Sequence, residues 1–247
     1  MEPSVKLLQA LVDVVASQGW LKPALSAMEL SQMIVQGMWD KDSALLQIPH
    51  FDKSRTVMCA NHPNAPVSSV LDILDLEDDV RDDLLAGLSE QQVSDVATFC
   101  NSYPSMEVTV ETDLDDGTVE AGDSVTVLVQ LQRDVDEDDD PASFGRVRSV
   151  RFPGKNKMEN WWCLVGRAEG SPEQSLLSIK RVVVGASGKA KLEFTAPEEE
   201  GQYEYVVYCM CDSYMGCDQE HKLSFKVVPA TENSDEDEDG GAAMGEE

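Results

Sequence analysis

The hydrophobic period of this chain changes near Pro104, and this change constrains the fold more than any other feature of the sequence. Before Pro104, apolar residues recur every three or four positions, which is typical of amphipathic helices. After Pro104, apolar and polar residues alternate, which is typical of strands that bury one face. Helices and strands segregated along a chain in this way indicate an α+β fold with more than one structural unit.

Two long helices are predicted in the first unit, residues 1–49. The first precedes Gly19, and the second runs from about Pro23 to about Trp39. The apolar residues of the first helix form a wide stripe: Val5, Leu7, Leu8, Leu11, Val12 and Val15. The second helix is apolar on two faces, so both helices need neighbours. We expect the cover to come from further helices of a larger bundle, from a partner, or from the rest of this chain.

Residues 50–104 are predicted to form short helices that are separated by turns. The sequence HPNAP at 62–66 is a turn signal. Ser89 with Gln92 three residues later fits a capping box at the start of the last helix.

Seven short strands are predicted within residues 105–229, because seven alternating segments there are separated by turn residues such as DDGTVEAGD at 115–123. Seven strands over this length indicate a β-sandwich of the immunoglobulin or fibronectin type III kind. No Cys–Trp–Cys spacing of a true immunoglobulin domain is present, which favours the fibronectin-like version.

The charge of the chain disfavours nucleic-acid binding, because 47 acidic and 19 basic residues give a formal net charge of -28 that repels phosphate. Part of this charge lies in low-complexity runs at 135–140 and 233–247. They predict a loop and, over residues 230–247, a disordered acidic tail. No apolar run is long enough to cross a bilayer, so we expect an intracellular protein without membrane contact whose six cysteines are free thiols.

Motifs that would mark an enzyme are not found in the sequence. It contains no phosphate-binding GxxxxGK[ST], no GxGxxG, no GxSxG and no HExxH. The three histidines are scattered, and the carboxylates cluster in solvated runs instead of forming opposed pairs. We therefore predict no catalytic residues and no cofactor.

The stretch YCMCDSYMGCDQEH at 208–221 places four soft ligands close together: Cys209, Cys211, Cys217 and His221. In a strand, Cys209 and Cys211 point to the same face, and SYMG makes a turn before the next strand. A hairpin of this kind could gather a zinc ion, although the paired CxxC knuckles of strong zinc sites are missing. We favour ordinary core sulfur, since buried free cysteine packs as a small hydrophobe. Zinc and redox roles are the alternatives.

Adjacent tryptophans, Trp161 and Trp162, occur within one predicted strand and must therefore face opposite sides of its sheet. One is expected to pack in the sandwich core. The other is either an exposed anchor for a protein partner or rests against the helical region.

Several long segments of the chain resemble the Sec-63 homology domain. DSYMGCDQEHKLSFKV at 212–227 is similar to its final hairpin, and residues 21–51 are similar to the late helices of its bundle. Residues 67–104 resemble its helix-hairpin-helix and bridging helix, while NWWCLVG and SLLSIKRV resemble strands of its fibronectin-like region.

This resemblance implies a non-catalytic module made of three parts: the end of a helical bundle at 1–49, a helix-hairpin-helix with a bridging helix at 50–104, and a fibronectin-like sandwich at 105–229. Within the family, the chain is most similar to the C-terminal Sec-63 unit of spliceosomal DExH-box RNA helicases. The implied role is a protein-interaction and regulatory platform in pre-mRNA splicing. The implied partners are a helicase cassette and spliceosomal proteins, in the nucleus or alternatively in the cytoplasm or at the endoplasmic reticulum.

The chain also departs from the family pattern. It lacks helicase motifs, so we expect no ATPase activity. The turn ANHPNAPV at 60–67 lacks the glycine that would let backbone N–H groups approach a phosphate. Acidic residues crowd the helices that follow: Asp72, Asp75, Glu77, Asp78, Asp79, Asp82 and Asp83. The alternatives to the interaction module are an RNA-contacting helix-hairpin-helix, a Sec-63 homologue of protein translocation, and a zinc protein.

Overall fold

A computed structural model describes residues 2–63, 65–135, 144–151, 157–167 and 175–230. Within these ranges the first hundred residues contain six α-helices. They are α1 (Glu2–Ser17), α2 (Leu21–Gln36), α3 (Lys53–Ala60), α4 (Val70–Leu74), α5 (Asp78–Leu84) and α6 (Glu90–Cys100). The predicted order of helices before strands is confirmed.

Local signals in the sequence set the ends of several helices. Gly37 ends α2 in the left-handed region, with φ at 65°, a conformation that favours glycine. Ser69 begins α4 and Ser89 begins α6, each with a complete capping box. The capping box predicted at Ser89 and Gln92 is therefore confirmed.

Eight strands follow the helices. They are β1 (Met106–Thr112), β2 (Thr118–Glu120), β3 (Ser124–Arg133), β4 (Asn160–Arg167), β5 (Leu176–Val183), β6 (Ser187–Thr195), β7 (Gly201–Cys211) and β8 (Gln219–Val228). They form a three-stranded sheet in the order β1-β3-β6 and a five-stranded sheet in the order β2-β8-β7-β4-β5. All neighbouring strands are antiparallel except β2 and β8.

One strand was not predicted. The sequence predicts a turn at 115–123, but Thr118–Glu120 forms β2 and pairs in parallel with Lys226–Val228 of β8. Three residues are too few to show an alternating pattern. The pairing depends on a segment more than a hundred residues away in the sequence, so local signals could not reveal it.

The main core lies where the two sheets face each other. From the three-stranded sheet, β3 contributes Val125, Val127, Val129 and Leu131, all buried. The five-stranded sheet contributes a second set: Trp161, Cys163, Val165, Val207, Cys209 and Phe225. The alternation of inward and outward residues along β3 explains the sequence period of two.

A second apolar cluster lies on the outer face of the five-stranded sheet, where α1 and α2 cover it. The helices contribute Val12, Val15, Leu21, Ala24, Ala27 and Met28, and the sheet contributes Trp162, Leu164, Leu176, Tyr208 and Met210. The helical pair is therefore a third layer. The sequence allows the two helices to be covered by further helices, by a partner or by the rest of this chain. The strands of this chain cover this face of the helices.

The contact between α2 and β4 is close at one point, Gly166. A Cβ atom at this position would lie 2.6 Å from Cδ2 of Leu21, which is shorter than any ordinary contact. The missing side chain of Gly166 therefore lets the first residue of α2 approach the backbone of β4.

The α+β class is confirmed, while the finer assignments stay predictions. These are the fibronectin or immunoglobulin identity of the sheets, the helix-hairpin-helix, and the boundaries at 49 and 104. The acidic run at 136–140 and residues 231–247 of the predicted tail lie outside the described residues.

We expect the substitution Trp162→Ala to lower the free energy of unfolding by about 3–5 kcal/mol, because it leaves a cavity between the helical layer and the sheet. Urea denaturation followed by circular dichroism measures this change. The matched control is Trp39→Ala, whose side chain is 67% exposed, and it should change the free energy by less than about 0.5 kcal/mol. Equal losses in the two variants would contradict the placement of Trp162.

Candidate protein interface

Glutamine side chains of α2 bind the last residue of β7, Cys211, and the segment 212–218 that joins β7 to β8. Nε2 of Gln32 donates to the carbonyl oxygen of Cys211 at 2.8 Å, and Nε2 of Gln36 donates to that of Ser213 at 2.7 Å. Both glutamines are buried and lie four residues apart, so they project from the same side of the helix. They supply partners to buried carbonyl groups that no strand pairs with.

A third glutamine binds the same segment from a different part of the chain. Gln47, in a short 3-10 turn at Ala44–Gln47, donates from Nε2 to the carbonyl oxygen of Met215 at 2.9 Å. Its Oε1 accepts from the Met215 N–H at 2.9 Å. The hydroxyl of Tyr103 donates to the same carbonyl at 2.8 Å. The segment is thus held by α2, by the 3-10 turn and by the end of the α6 region at once.

Two buried ion pairs lie beside this segment. Nζ of Lys157 contacts Oδ1 of Asp212 at 2.7 Å, and the Arg133 guanidinium donates to Oε1 of Glu159. Nε1 of Trp161 donates to the same Glu159 oxygen at 3.3 Å. Burial raises the pKa of Glu159 to about 7, although the positive charge of Arg133 opposes this shift.

Asp218 completes the polar contacts of the segment. Its two carboxylate oxygens accept from Nε2 of Gln32 at 3.0 and 2.8 Å, and Oδ1 also accepts from the Cys211 N–H at 2.7 Å. Desolvation raises the pKa of Asp218 to about 6 against the opposing effect of these hydrogen bonds.

The helical layer is anchored on one face only, and the other face of α1 is open in the described residues. Leu7, Leu11 and Val14 are 72%, 44% and 61% exposed. Their spacing of four and three residues places them in one row along the helix. An apolar row of this kind on a helix is typical of a surface that packs against another protein segment.

The two adjacent tryptophans face opposite sides as predicted, but neither is exposed. Trp161 packs in the main core, and Trp162 packs under the helices, at 0% and 1% exposure. In the structure, the Trp162 indole rests against the helical region, which is one of the two alternatives considered for it. An exposed tryptophan anchor at either position is incorrect, because α1 and α2 occupy the outer face of β4.

The cysteine stretch forms part of the core. Cys209 and Cys211 share the inner face of β7, and Cys209 lies opposite Cys163 of β4. Burial raises the pKa of Cys211 and of Cys217, which keeps these thiols protonated. Nε2 of His221 contacts the side chain of Gln219.

No group of three or more His, Cys, Asp or Glu side chains within the described ranges could hold a metal ion. The zinc hypothesis on Cys209, Cys211, Cys217 and His221 therefore has no geometric support there.

Sequence reasoning missed two features of this region. Gln32, Gln36 and Gln47 are not among the residues predicted from the sequence, although two polar residues four apart within an apolar helix face are a usable signal. Val14 is not among them either, because the sequence pattern predicts one wide apolar face on α1. The structure separates a buried row from the exposed row of Leu7, Leu11 and Val14.

We expect the substitution Asp218→Asn to change how stability depends on pH. The folded-state pKa of about 6 is above the ordinary value of 3.8, so the folded protein binds this proton more tightly. That contribution to stability is full below about pH 4 and is lost as pH rises through about 6. The wild-type protein should therefore lose unfolding free energy relative to the variant over this interval. Parallel urea-denaturation results across the interval would contradict the expectation.

Comparison with known proteins gives a consistent result. Residues 1–224 match the Sec63 Brl domain. The U5 small nuclear ribonucleoprotein 200 kDa helicase of Homo sapiens is 44% identical over 96% of this chain. The DExH-box ATP-dependent RNA helicase DExH12 of Arabidopsis thaliana is 45% identical over 91%. The chain spans about 10% of the length of each of these relatives.

Among solved structures, a β-glucosidase from Listeria innocua aligns with 50% of this chain and 16% of its own chain, at 12% identity and a TM-score of 0.28. This likeness is too weak to support any argument. In the described part of the chain, no helix has both the length and the apolar character needed to span a bilayer. Because the family match covers residues 1–224, the chain belongs to the Sec63 Brl domain family.

Proposed function

We propose that this chain is a non-catalytic protein-interaction and regulatory module of a spliceosomal DExH-box RNA helicase and acts in pre-mRNA splicing in the nucleus. The proposal rests on its similarity to helicases whose names place them in the U5 small nuclear ribonucleoprotein. Its partners would be the helicase cassette and spliceosomal proteins. Catalysis would belong to other parts of such a helicase, since the chain carries none of the helicase motifs.

The observation that carries this proposal is the open apolar row of Leu7, Leu11 and Val14 on α1. The opposite face of the same helix is already used to cover the five-stranded sheet. A helix that is apolar on both sides is suited to lie between two partners. The relatives are about ten times longer than this chain, so further segments of such a protein could supply the second partner.

The strand order supports the fibronectin type III assignment of the sheets. A three-stranded sheet of the first, third and sixth strands faces a sheet in which β5, β4, β7 and β8 are neighbours. The core between them is built from alternating residues of both sheets, as in β-sandwiches. In this assignment β2 is a short extra strand that extends the larger sheet beyond β8.

An RNA-contacting role for residues 50–104 is the second candidate. The chain there forms α3, α4, α5 and α6 with turns between them, which is compatible with a helix-hairpin-helix. The first turn of α5 carries Asp78 and Asp79, whose charges would repel a phosphate at that helix N-terminus. RNA binding that weakens steeply with salt would favour this candidate over the interaction module.

The isolated chain is expected to self-associate through α1, because the apolar row then finds cover in a second copy. The double substitution Leu7→Glu with Leu11→Glu should shift the protein towards monomer in light scattering at increasing concentration. Leu128→Glu is the matched control, since Leu128 is a half-exposed leucine on a sheet surface away from α1, and it should leave the association unchanged. A concentration-independent monomer before any substitution would contradict the expectation.

A pull-down from nuclear extract tests the partners directly. The wild-type chain should retain spliceosomal proteins, and the α1 double variant should retain them about tenfold less well, the effect of losing roughly 1.4 kcal/mol of binding free energy. The purified chain should hydrolyse no ATP. Recovery of protein-translocation components alone would contradict the proposal and favour the translocation alternative.

A further inference from the structure

The first strand of the smaller sheet has an open edge. Among the described residues, β1 pairs with β3 on one side and has no strand on the other. An open edge presents backbone N–H and C=O groups that can pair with an added strand.

The hydrogen bonds at the two ends of β1 show which residues face outward. The N–H of Asp113 donates to the Thr126 carbonyl, and the N–H of Asp134 donates to the Ser105 carbonyl. Odd-numbered residues therefore exchange hydrogen bonds with β3, and the backbone groups of even-numbered residues point away from it. These are the backbone groups of Met106, Val108, Val110 and Thr112.

One of these outward groups is already used within the chain, because the Met106 carbonyl accepts from Nε2 of Gln219 at 2.7 Å. Val108 and Val110 are thus the central positions of the open edge.

The edge strands β5, β6 and β2 are less suited to pairing than β1. The edge strands β5 and β6 lie against each other across the two sheets. The edge strand β2 has only three residues. The strand β1 has seven regularly paired residues, and no other described strand covers its outer edge. Residues 219–225 of β8, beyond the end of β2, are uncovered in the same way.

The side chains of β1 define what an added strand must carry. Val108 and Val110 are half-buried and pack at the margin of the core, while Glu107 and Glu111 are exposed on the outer face. A strand beside β1 alternates in the same way, so one set of its side chains meets the valines and the other meets the glutamates. The fitting sequence therefore alternates apolar residues with lysine or arginine.

A second copy of this chain does not satisfy these requirements. Pairing two β1 strands would place Glu107 and Glu111 of one copy beside those of the other, which is repulsive. The net charge of -28 adds to this repulsion.

An acidic groove lies where β1 begins. It encloses about 350 Å³, and its lining includes Leu71, Leu74, Asp75, Tyr103, Ser105 and Asp134. Because Ser105 directly precedes β1, one end of an added strand would reach this groove. Its leucines and carboxylates would accept a long cationic side chain, whose methylene stem packs on apolar surface while its charged head meets a carboxylate.

We infer that the open edge of β1 is a docking site for an extended, basic protein segment that adds a strand to the smaller sheet. Main-chain hydrogen bonds to Val108 and Val110 would provide affinity, and Glu107 and Glu111 would select alternating cationic side chains. This site is separate from the apolar row of α1. The docking inference and the proposed function can therefore each be correct without the other.

The probe for this site is an acetylated, amidated peptide of alternating lysine and valine, as long as the seven residues of β1. Calorimetry on the full chain measures its affinity, and hydrogen exchange of the Val108 and Val110 amides locates it. We expect binding that protects these two amides. The same peptide with glutamate in place of lysine, or with alternate backbone nitrogens methylated, should not bind.

Two variants separate strand addition from simple charge attraction. Val110→Pro removes an outward N–H that β3 does not use, so the fold tolerates it and affinity should fall about tenfold. Val110→Ala is the matched control because it keeps this N–H, and it should stay within about threefold of wild type. Glu107→Gln with Glu111→Gln should weaken binding about fivefold.

Three results would overturn the inference. One is equal binding by the methylated peptide. Another is equal binding by Val110→Pro once circular dichroism shows that it is folded. The third is protection confined to residues outside β1, which would mean attraction to the acidic chain in general.

Discussion

The fold depends on three glutamine side chains that bind the segment between β7 and β8. Once the helices cover this region, its carbonyl groups lose water and have no strand to pair with, and each unsatisfied group would cost about 1–3 kcal/mol. Gln32, Gln36 and Gln47 supply the missing donors. Since they come from two different helical elements, the same contacts that satisfy the segment also fix where α2 lies on the sheet.

Charge has different roles inside this molecule and on its surface. Inside, it is used in paired form, as in Arg133 with Glu159 and Lys157 with Asp212, where a lone charge would be costly to bury. On the surface, the excess of carboxylates contributes little to the fold, but it determines which partners are attracted. A family member with this charge is expected to meet cationic protein segments more readily than nucleic acid.

The sequence alone could predict features that depend on neighbours a few residues apart. The change of period at Pro104, most strands and the capping box at Ser89 are of this kind. The rest depends on long-range contacts. The pairing of β2 with β8 leaves no local pattern, and the environment of Trp162 depends on which layer covers β4. The glutamines that hold the segment after β7 look like ordinary helix residues until the strands are in place.

The candidate interface was predictable in part. The sequence places Leu7 and Leu11 on the apolar stripe of α1, but it does not show that their side chains are exposed.

The bare backbone of Gly166 has a consequence for how β4 finds its alignment. Residues 161–166 of this strand are buried on both faces, and indoles of equal size occupy both sides, so polarity does not distinguish the native pairing from one shifted by a residue. Such a shift would put Val165 or Arg167 where Leu21 now touches the backbone. Packing of α2 against Gly166 therefore disfavours the shifted alignment by steric clash, although the side chains of the sheet alone do not distinguish the two alignments.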